Sequence, residues 1–281
     1  MVKSLKYFLS ILILCSLVSC KKSISPEEKI KKSNEMINGD DTSILGPHFQ
    51  GSVRMMTYTE EAIALNPKNA DAWRELSIPY LKRGMPHKWK PLFEKAVLHD
   101  SIGWQPWRGY LYLWFYRDYK KAIADFDASD VLTPNFIDAP QGHSVDYWRG
   151  IAYLGLKDYK NSIYYFDKYI AKETKDTGED WVEMTGFLYL GIAHYENQND
   201  SLALLNINKL LKYTNDDYAD GNYYKALILE KQNRNQEALK LVDLAITNYK
   251  EGYYNNRPYV ETLRQIYMED LLLLKERLTK K

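Results

Sequence analysis

Side chains able to do chemistry are few in this 281-residue chain, and their spacing is poor for it. The five histidines are His48, His87, His99, His143 and His194, and none has a His or Cys neighbour at ligand spacing such as H-E-x-x-H. No metal site is expected. His194 falls at a large-residue position of a helical stretch, where a packed core imidazole is the expected state. The stretch Gly142-His143-Ser144-Val145-Asp146 gathers a base, a nucleophile and an acid, but it is not G-x-S-x-G and no strand precedes it to expose the serine. Ser144 is expected instead to cap a helix. The carboxylate pairs Glu60-Glu61, Glu179-Asp180 and Asp216-Asp217 are adjacent in sequence and expected on solvated helix ends. No P-loop or G-x-G-x-x-G occurs, so a glycine cradle for phosphate is missing. Both cysteines, Cys15 and Cys20, fall within the first 20 residues, which excludes disulfides, thiolate zinc ligands and a cysteine nucleophile from the rest of the chain. Neither a catalytic residue nor a cofactor is expected, and the chain reads as a non-enzyme.

Cys20 has a different chemistry. Two lysines, Lys3 and Lys6, precede an apolar run from Phe8 to Val18 that is too short to span a bilayer and reads as a secretory leader. Leu17-Val18-Ser19-Cys20 resembles the lipobox of bacterial lipoproteins. That resemblance implies cleavage after Ser19 and lipidation of Cys20 with acyl chains such as palmitate. Each chain contributes about 0.8 kcal/mol per buried CH₂, so several together anchor the protein firmly. Residues 1–19 are then the signal peptide and 20–25 the lipidated cysteine with its tether. Lys21-Lys22-Ser23 follow, with neither the Asp that retains such proteins at the inner membrane nor an acidic surface-export stretch. The expected location is the bacterial cell envelope, at the outer membrane and facing the periplasm.

Loss of residues 1–19 leaves 36 basic residues against 37 acidic ones, and lysines outnumber arginines 28 to 10. A near-neutral, arginine-poor chain is no nucleic-acid binder. Hydrophobic residues make up 45% and charged residues 27%, with 14 Gly and 10 Pro, which describes a packed globular chain and excludes low-complexity disorder. Its 24 tyrosines need an explanation.

The elements supply one. Ser25-Pro26-Glu27-Glu28 combines an N-cap Ser, Pro at the first helical position and Glu at the third, so a helix begins at Pro26. Helical stretches of roughly 12 to 18 residues then alternate with short polar breaks, and no segment keeps a period of two. The fold class is all-α. Trp73, Leu76, Ser77 and Tyr80 follow W-x₂-L-G-x₂-Y with Ser for Gly, and Phe93 and Ala96 stand where the second helix needs them. Ala62 to Pro67 reads as the close of a preceding unit. Trp107-Arg108-Gly109, Tyr112-Leu113, Asp118-Tyr119 and Phe126 align with Trp148-Arg149-Gly150, Tyr153-Leu154, Asp158-Tyr159 and Phe166, the first set carrying one extra residue, expected in its inter-helix turn. Leu190-Gly191 with Ala203 and Ile207, and Ala226 with Ala238 and Val242, continue in phase.

This pattern resembles the tetratricopeptide repeat. The resemblance implies a right-handed αα-superhelix, a solenoid of about five helix pairs over residues 26–257 with an N-terminal helix. An amphipathic capping helix is expected over 258–281, with Val260, Leu263, Ile266, Tyr267 and Leu271 to Leu274 on its apolar face. Pro79, inside the helix of Trp73, departs from the repeat pattern. In this family the first helix of each pair lines a groove, and the matching positions are Arg74, Tyr110, Trp114, Tyr147, Tyr195 and Tyr223. Rigid aromatics there suit a peptide or a sugar ring. The loop from Asn135 to Ser144 is a second candidate contact. The function expected is a lipid-anchored scaffold for a protein or peptide partner. The alternatives are a glycan-binding lipoprotein of a nutrient-uptake system and an immunity lipoprotein against a secreted toxin.

Overall fold

The computed structural model describes residues 24–38 and 50–280. The leader, Cys20 and His48 therefore lie outside the described residues. Among those described, 13 α-helices and no strand occur. They fall into two compact units divided after His99.

The first unit holds α1 (Pro26–Asn38), α2 (Val53–Leu65), α3 (Ala70–Lys82) and α4 (Pro86–His99). The expected capping box opens α1: Glu28 N donates to Ser25 Oγ at 3.1 Å and Ser25 N to Glu28 Oε2 at 2.9 Å. Asn69 caps α3 through its side-chain oxygen and uses its amide to reach Ser33 Oγ at 2.9 Å, while Ser33 Oγ donates to Ala62 O at 2.7 Å. This buried polar link ties three helices without leaving a donor unmet. Pro79 does not break α3, which runs through it to Lys82; the lost amide falls in the last turn. Glu60 and Glu61 are exposed, as expected, but in the body of α2 rather than at its end.

The second unit stacks four hairpins and a cap. Its helices are α5 (Ser101–Leu111), α6 (Tyr119–Leu132), α7 (Val145–Gly155), α8 (Tyr159–Thr177), α9 (Met184–Glu196), α10 (Asp200–Tyr213), α11 (Ala219–Lys231), α12 (Asn235–Glu251) and α13 (Met268–Thr279). Each hairpin turns on a residue with positive φ: Arg117, Lys157, Gln198 and Asn233. In three of them the next amide closes back over five residues, as from Asp158 N to Tyr153 O at 2.9 Å. In the first, Asp118 N bonds Tyr112 O, six residues back. The extra residue is thus not in the turn proper but in a π-helical turn, Tyr112–Tyr116, that ends the first helix.

Small residues bring the two helices of each pair together. A Cβ on Gly109 would lie 2.7 Å from the Phe126 ring, and one on Gly150 would lie 2.8 Å from Phe166. Both rings are fully buried. Much of the tyrosine content fills the same layers, with Tyr112, Tyr169, Tyr189 and Tyr224 all in the core. Successive hairpins are also joined by charge: Arg149 on α7, 1% exposed, donates to Asp127 and Asp130 and to the carbonyl of Phe126, all on α6.

The capping helix is shorter than expected. It starts at Met268, not Pro258, and buries Leu271, Leu274 and Leu278 against α11 and α12, while Leu272 and Leu273 stay exposed. Residues 253–267 are not helical. Tyr259 and Arg264 take positive φ there, and Leu263 and Ile266 are buried from an irregular backbone. Pro258 cannot donate within a helix, and side-chain and backbone contacts with the first helices hold this segment in its own path.

Candidate functional site

The first helices of the second unit, α5, α7, α9 and α11, form a row, with α7 touching α9 and α9 touching α11 directly. Across that row lies the non-helical segment 253–267, which we call the strap. Its outgoing arm starts at Tyr253, whose carbonyl accepts from Ala219 N at 2.8 Å. Asn255 N then donates to Asp220 Oδ2 at 2.8 Å, and its side-chain amide to the hydroxyl of Tyr189 at 2.9 Å. Arg257 reaches furthest. Its guanidinium bonds the Tyr110 hydroxyl and stands over three rings, 5.5 Å from Tyr110, 4.6 Å from Trp114 and 5.5 Å from Trp148. The strap turns at Pro258 and Tyr259 and comes back. Arg117 holds the returning backbone through the carbonyl of Glu261 at 2.5 Å, and Thr262 Oγ1 donates to Asn255 O at 3.1 Å, tying the two arms together. Arg264 then grips Glu196 with two bonds, at 2.5 and 2.8 Å, before α13 begins.

This arrangement places the expected groove residues as follows. Tyr110, Trp114 and Tyr147 are 8%, 2% and 3% exposed, covered or lined by the chain itself. Burial pushes the hydroxyl pKa of Tyr110 and Tyr147 up, so both serve as neutral phenols; Tyr147 hydrogen-bonds Thr185 at 2.7 Å. Tyr195 and Tyr223 are half-buried at the far end of the row, both edge-on to Tyr224, with Lys231 3.9 Å over the Tyr195 ring. Arg74 belongs to the first unit, partly exposed and paired with its neighbour Glu75. Tyr195 and Tyr223 gather around Tyr224, and Tyr110, Trp114 and Tyr147 gather around Trp148 beside the strap. The strap residues Asn255, Arg257 and Arg264 carry most of the polar contacts there, and the helical periodicity assigned to 258–281 concealed that role for Arg264. Arg257 beside Pro258 was the available signal, since an arginine ahead of a helix breaker is free to leave the solenoid.

The stretch around Ser144 makes no relay. Ser144 Oγ accepts from Tyr147 N at 3.3 Å as the N-cap of α7, and Asp146 is bound by Arg149 and Lys168. His143 leans on the rings of Tyr147 and Trp148, and burial lowers its pKa against a weaker opposing pull from Glu183. The loop before it is held inward: Trp148 Nε1 donates to Pro140 O at 2.9 Å and Thr133 Oγ1 to Asp138 at 2.7 Å, with Phe136 left exposed. His194 is buried, as expected, and burial lowers its pKa. Glu179 accepts from Lys209 and Tyr213 and is held below the usual carboxylate range by them.

Residues 188–252, covering most of α9 through α12, match the model of the tetratricopeptide repeat family. The fold is a tetratricopeptide-repeat solenoid. The matched hairpins are those with the fewest consensus residues in sequence, yet they keep the small-residue contacts, as Gly191 against Ile207 shows. Among solved structures, PilW, a widely conserved type IV pilus biogenesis factor, is similar at TM-score 0.58 and 15% identity, over 80% of this chain and 94% of that one. Cut9-Hcn1, an APC/C hetero-tetramer, is similar at TM-score 0.57 and 13% identity over 95% of this chain, which spans only 45% of that relative. YrrB, a tetratricopeptide-repeat protein with an unusual peptide-binding site, is similar at TM-score 0.50 and 16% identity, over 69% of this chain and 93% of that one. At such identities the likeness is one of fold. No curated protein sequence matches the chain. In this solenoid, the face formed by the first helices of the second unit holds polypeptide of its own.

Proposed function

We propose that this chain is a non-enzymatic, lipid-anchored repeat scaffold of the bacterial envelope that holds a protein or peptide partner. The observation that carries the reading is the strap: the first-helix face of the second unit already binds irregular polypeptide through aromatic rings, tyrosine hydroxyls and carboxylates. The same chemistry continues past the strap to Tyr195 and Tyr223, which remain partly open. Aromatic groups of this kind anchor extended chains at low entropic cost. The peptide-binding site named for YrrB, on a similar fold, supports the reading. Attachment through Cys20 at the outer membrane, facing the periplasm, rests on the lipobox.

Two experiments test it. The chain from residue 21 onward, used as bait on solubilised envelope proteins, should capture a partner, and Tyr195→Ala with Tyr223→Ala should reduce capture at least tenfold while the far-UV CD spectrum stays unchanged. Unaltered capture by the double variant would remove this surface from the account. Cys20→Ala in the full chain should move the protein from the membrane fraction to the soluble fraction; continued membrane association would refute the lipid anchor.

A further inference from the structure

Between the strap and the helices beneath it lies a cavity of about 180 Å³. A cavity of about 150 Å³ accepts a benzene-sized molecule, so this one suits a ligand of similar bulk. Its chemistry is specific. Trp114, 2% exposed, forms part of its wall. Arg257, a donor-only group, stands over the indole and also lines the cavity. Opposite in sign, Glu183 lines it too, with Oε1 accepting from Thr185 Oγ1 at 3.0 Å. Among the described residues neither Arg257 nor Glu183 forms an ion pair. Tyr189, Tyr218 and His143 are among the other residues that line it.

A guanidinium with no carboxylate partner calls for an anionic acceptor, and a carboxylate with no cationic partner beside tyrosine rings calls for a cation. A neutral polyol answers neither charge, and a simple carboxylate answers only one. We propose that this cavity binds a small zwitterionic amine–carboxylate of the size of a free α-amino acid, its carboxylate on Arg257 and its ammonium on Glu183. Because Arg257 belongs to the strap and Glu183 to the helix row, the ligand joins the two and holds the strap down. The site stands on the second unit alone and does not depend on a macromolecular partner.

Isothermal titration of the mature chain with glycine, alanine, serine, glutamate and lysine tests this, with propionate, ethylamine and glucose as controls. At least one amino acid should bind with one-to-one stoichiometry, at least tenfold more tightly than propionate or ethylamine, and should raise Tm. Glu183→Gln keeps an acceptor for the cap of α9 while removing the charge; it should weaken amino-acid binding about tenfold and leave propionate unchanged. Arg257→Gln should weaken both, and Arg257→Lys, which keeps the charge, should recover part of that loss if the neutral variant folds poorly. Absence of binding by all five amino acids, equal affinity for propionate, tighter binding of glucose, or indifference to Glu183→Gln would overturn the assignment.

Discussion

Arg149→Ala will cost about 3–5 kcal/mol of unfolding free energy, the range for breaking a buried ion pair by removing one partner. The guanidinium is 1% exposed and donates to Asp146 at 3.0 Å, Asp127 at 3.0 Å, Asp130 at 2.5 Å and Phe126 O at 2.6 Å. Desolvation would lower its pKa, but the carboxylates of Asp130, Asp127 and Asp146 outweigh that and raise it, so it stays charged. Asp127 and Asp130 are half-open and will rehydrate when the arginine goes. Asp146, 3% exposed on its side chain, keeps only Lys168, and the Phe126 carbonyl is left without this donor. Because the bonds run from α7 back to α6, the loss falls on an interface between hairpins. In a stacked array such interfaces carry the cooperativity, so the urea transition should broaden as its midpoint falls. Arg108→Ala, which breaks a partly exposed pair with Asp125, should cost less. Equal effects from the two, or a sharp unshifted transition for Arg149→Ala, would show that Arg149 does not bind the hairpins together.

The second large effect is on pH dependence. Asp220 opens α11 beneath the strap, almost fully buried; its Oδ2 accepts from Asn255 N while Oδ1 has no partner. Burial pushes its pKa from 3.8 up to about 7, against the weaker lowering by backbone N–H donors. Between those values the folded chain keeps a proton that the unfolded chain has released. Unfolding is therefore favoured progressively as pH rises from about 4 to about 7, and the contribution levels off on either side. At about 1.4 kcal/mol per pKa unit the whole effect is on the order of 4 kcal/mol. Asp220→Asn mimics the neutral carboxyl and should flatten this slope, so that its Tm exceeds that of the wild type most clearly above pH 7. A Tm difference between the two proteins that stays constant from pH 4 to pH 8 would contradict the assignment.

Much of the solenoid is local physics. Caps at Ser25 and Ser144 were legible because a side-chain oxygen need reach only three residues along the chain. The pairing of helices followed from small residues set against large ones, as in Gly150 and Phe166, since close helix packing excludes a Cβ. The same local reading misplaced the start of the last helix. The apolar spacing of Leu263, Ile266 and Leu271 fits a helix, but the first two bury themselves from the strap, where contacts with other helices override periodicity. The extra residue between Gly109 and Asp118 was legible as an insertion, whereas its absorption into a π-turn was not, because that choice depends on how Tyr112 to Tyr116 pack.

The candidate site divides along the same line. Residue types and their spacing alone determined that the body of the chain is helical, repeating and without a recognisable catalytic constellation, and that aromatics recur on the first helices. Whether those aromatics meet solvent was decided by tertiary structure. Tyr110 is capped by Arg257, 147 residues further on, and Tyr189 by Asn255, 66 residues further on. Helix formation and hairpin packing are set by neighbours a few to about 20 residues apart, but occupation of a surface by a distant segment depends on the path of the whole solenoid between them. For that reason the sequence supplies the lining of a groove, and the folded chain supplies both its occupant and the small cavity beneath.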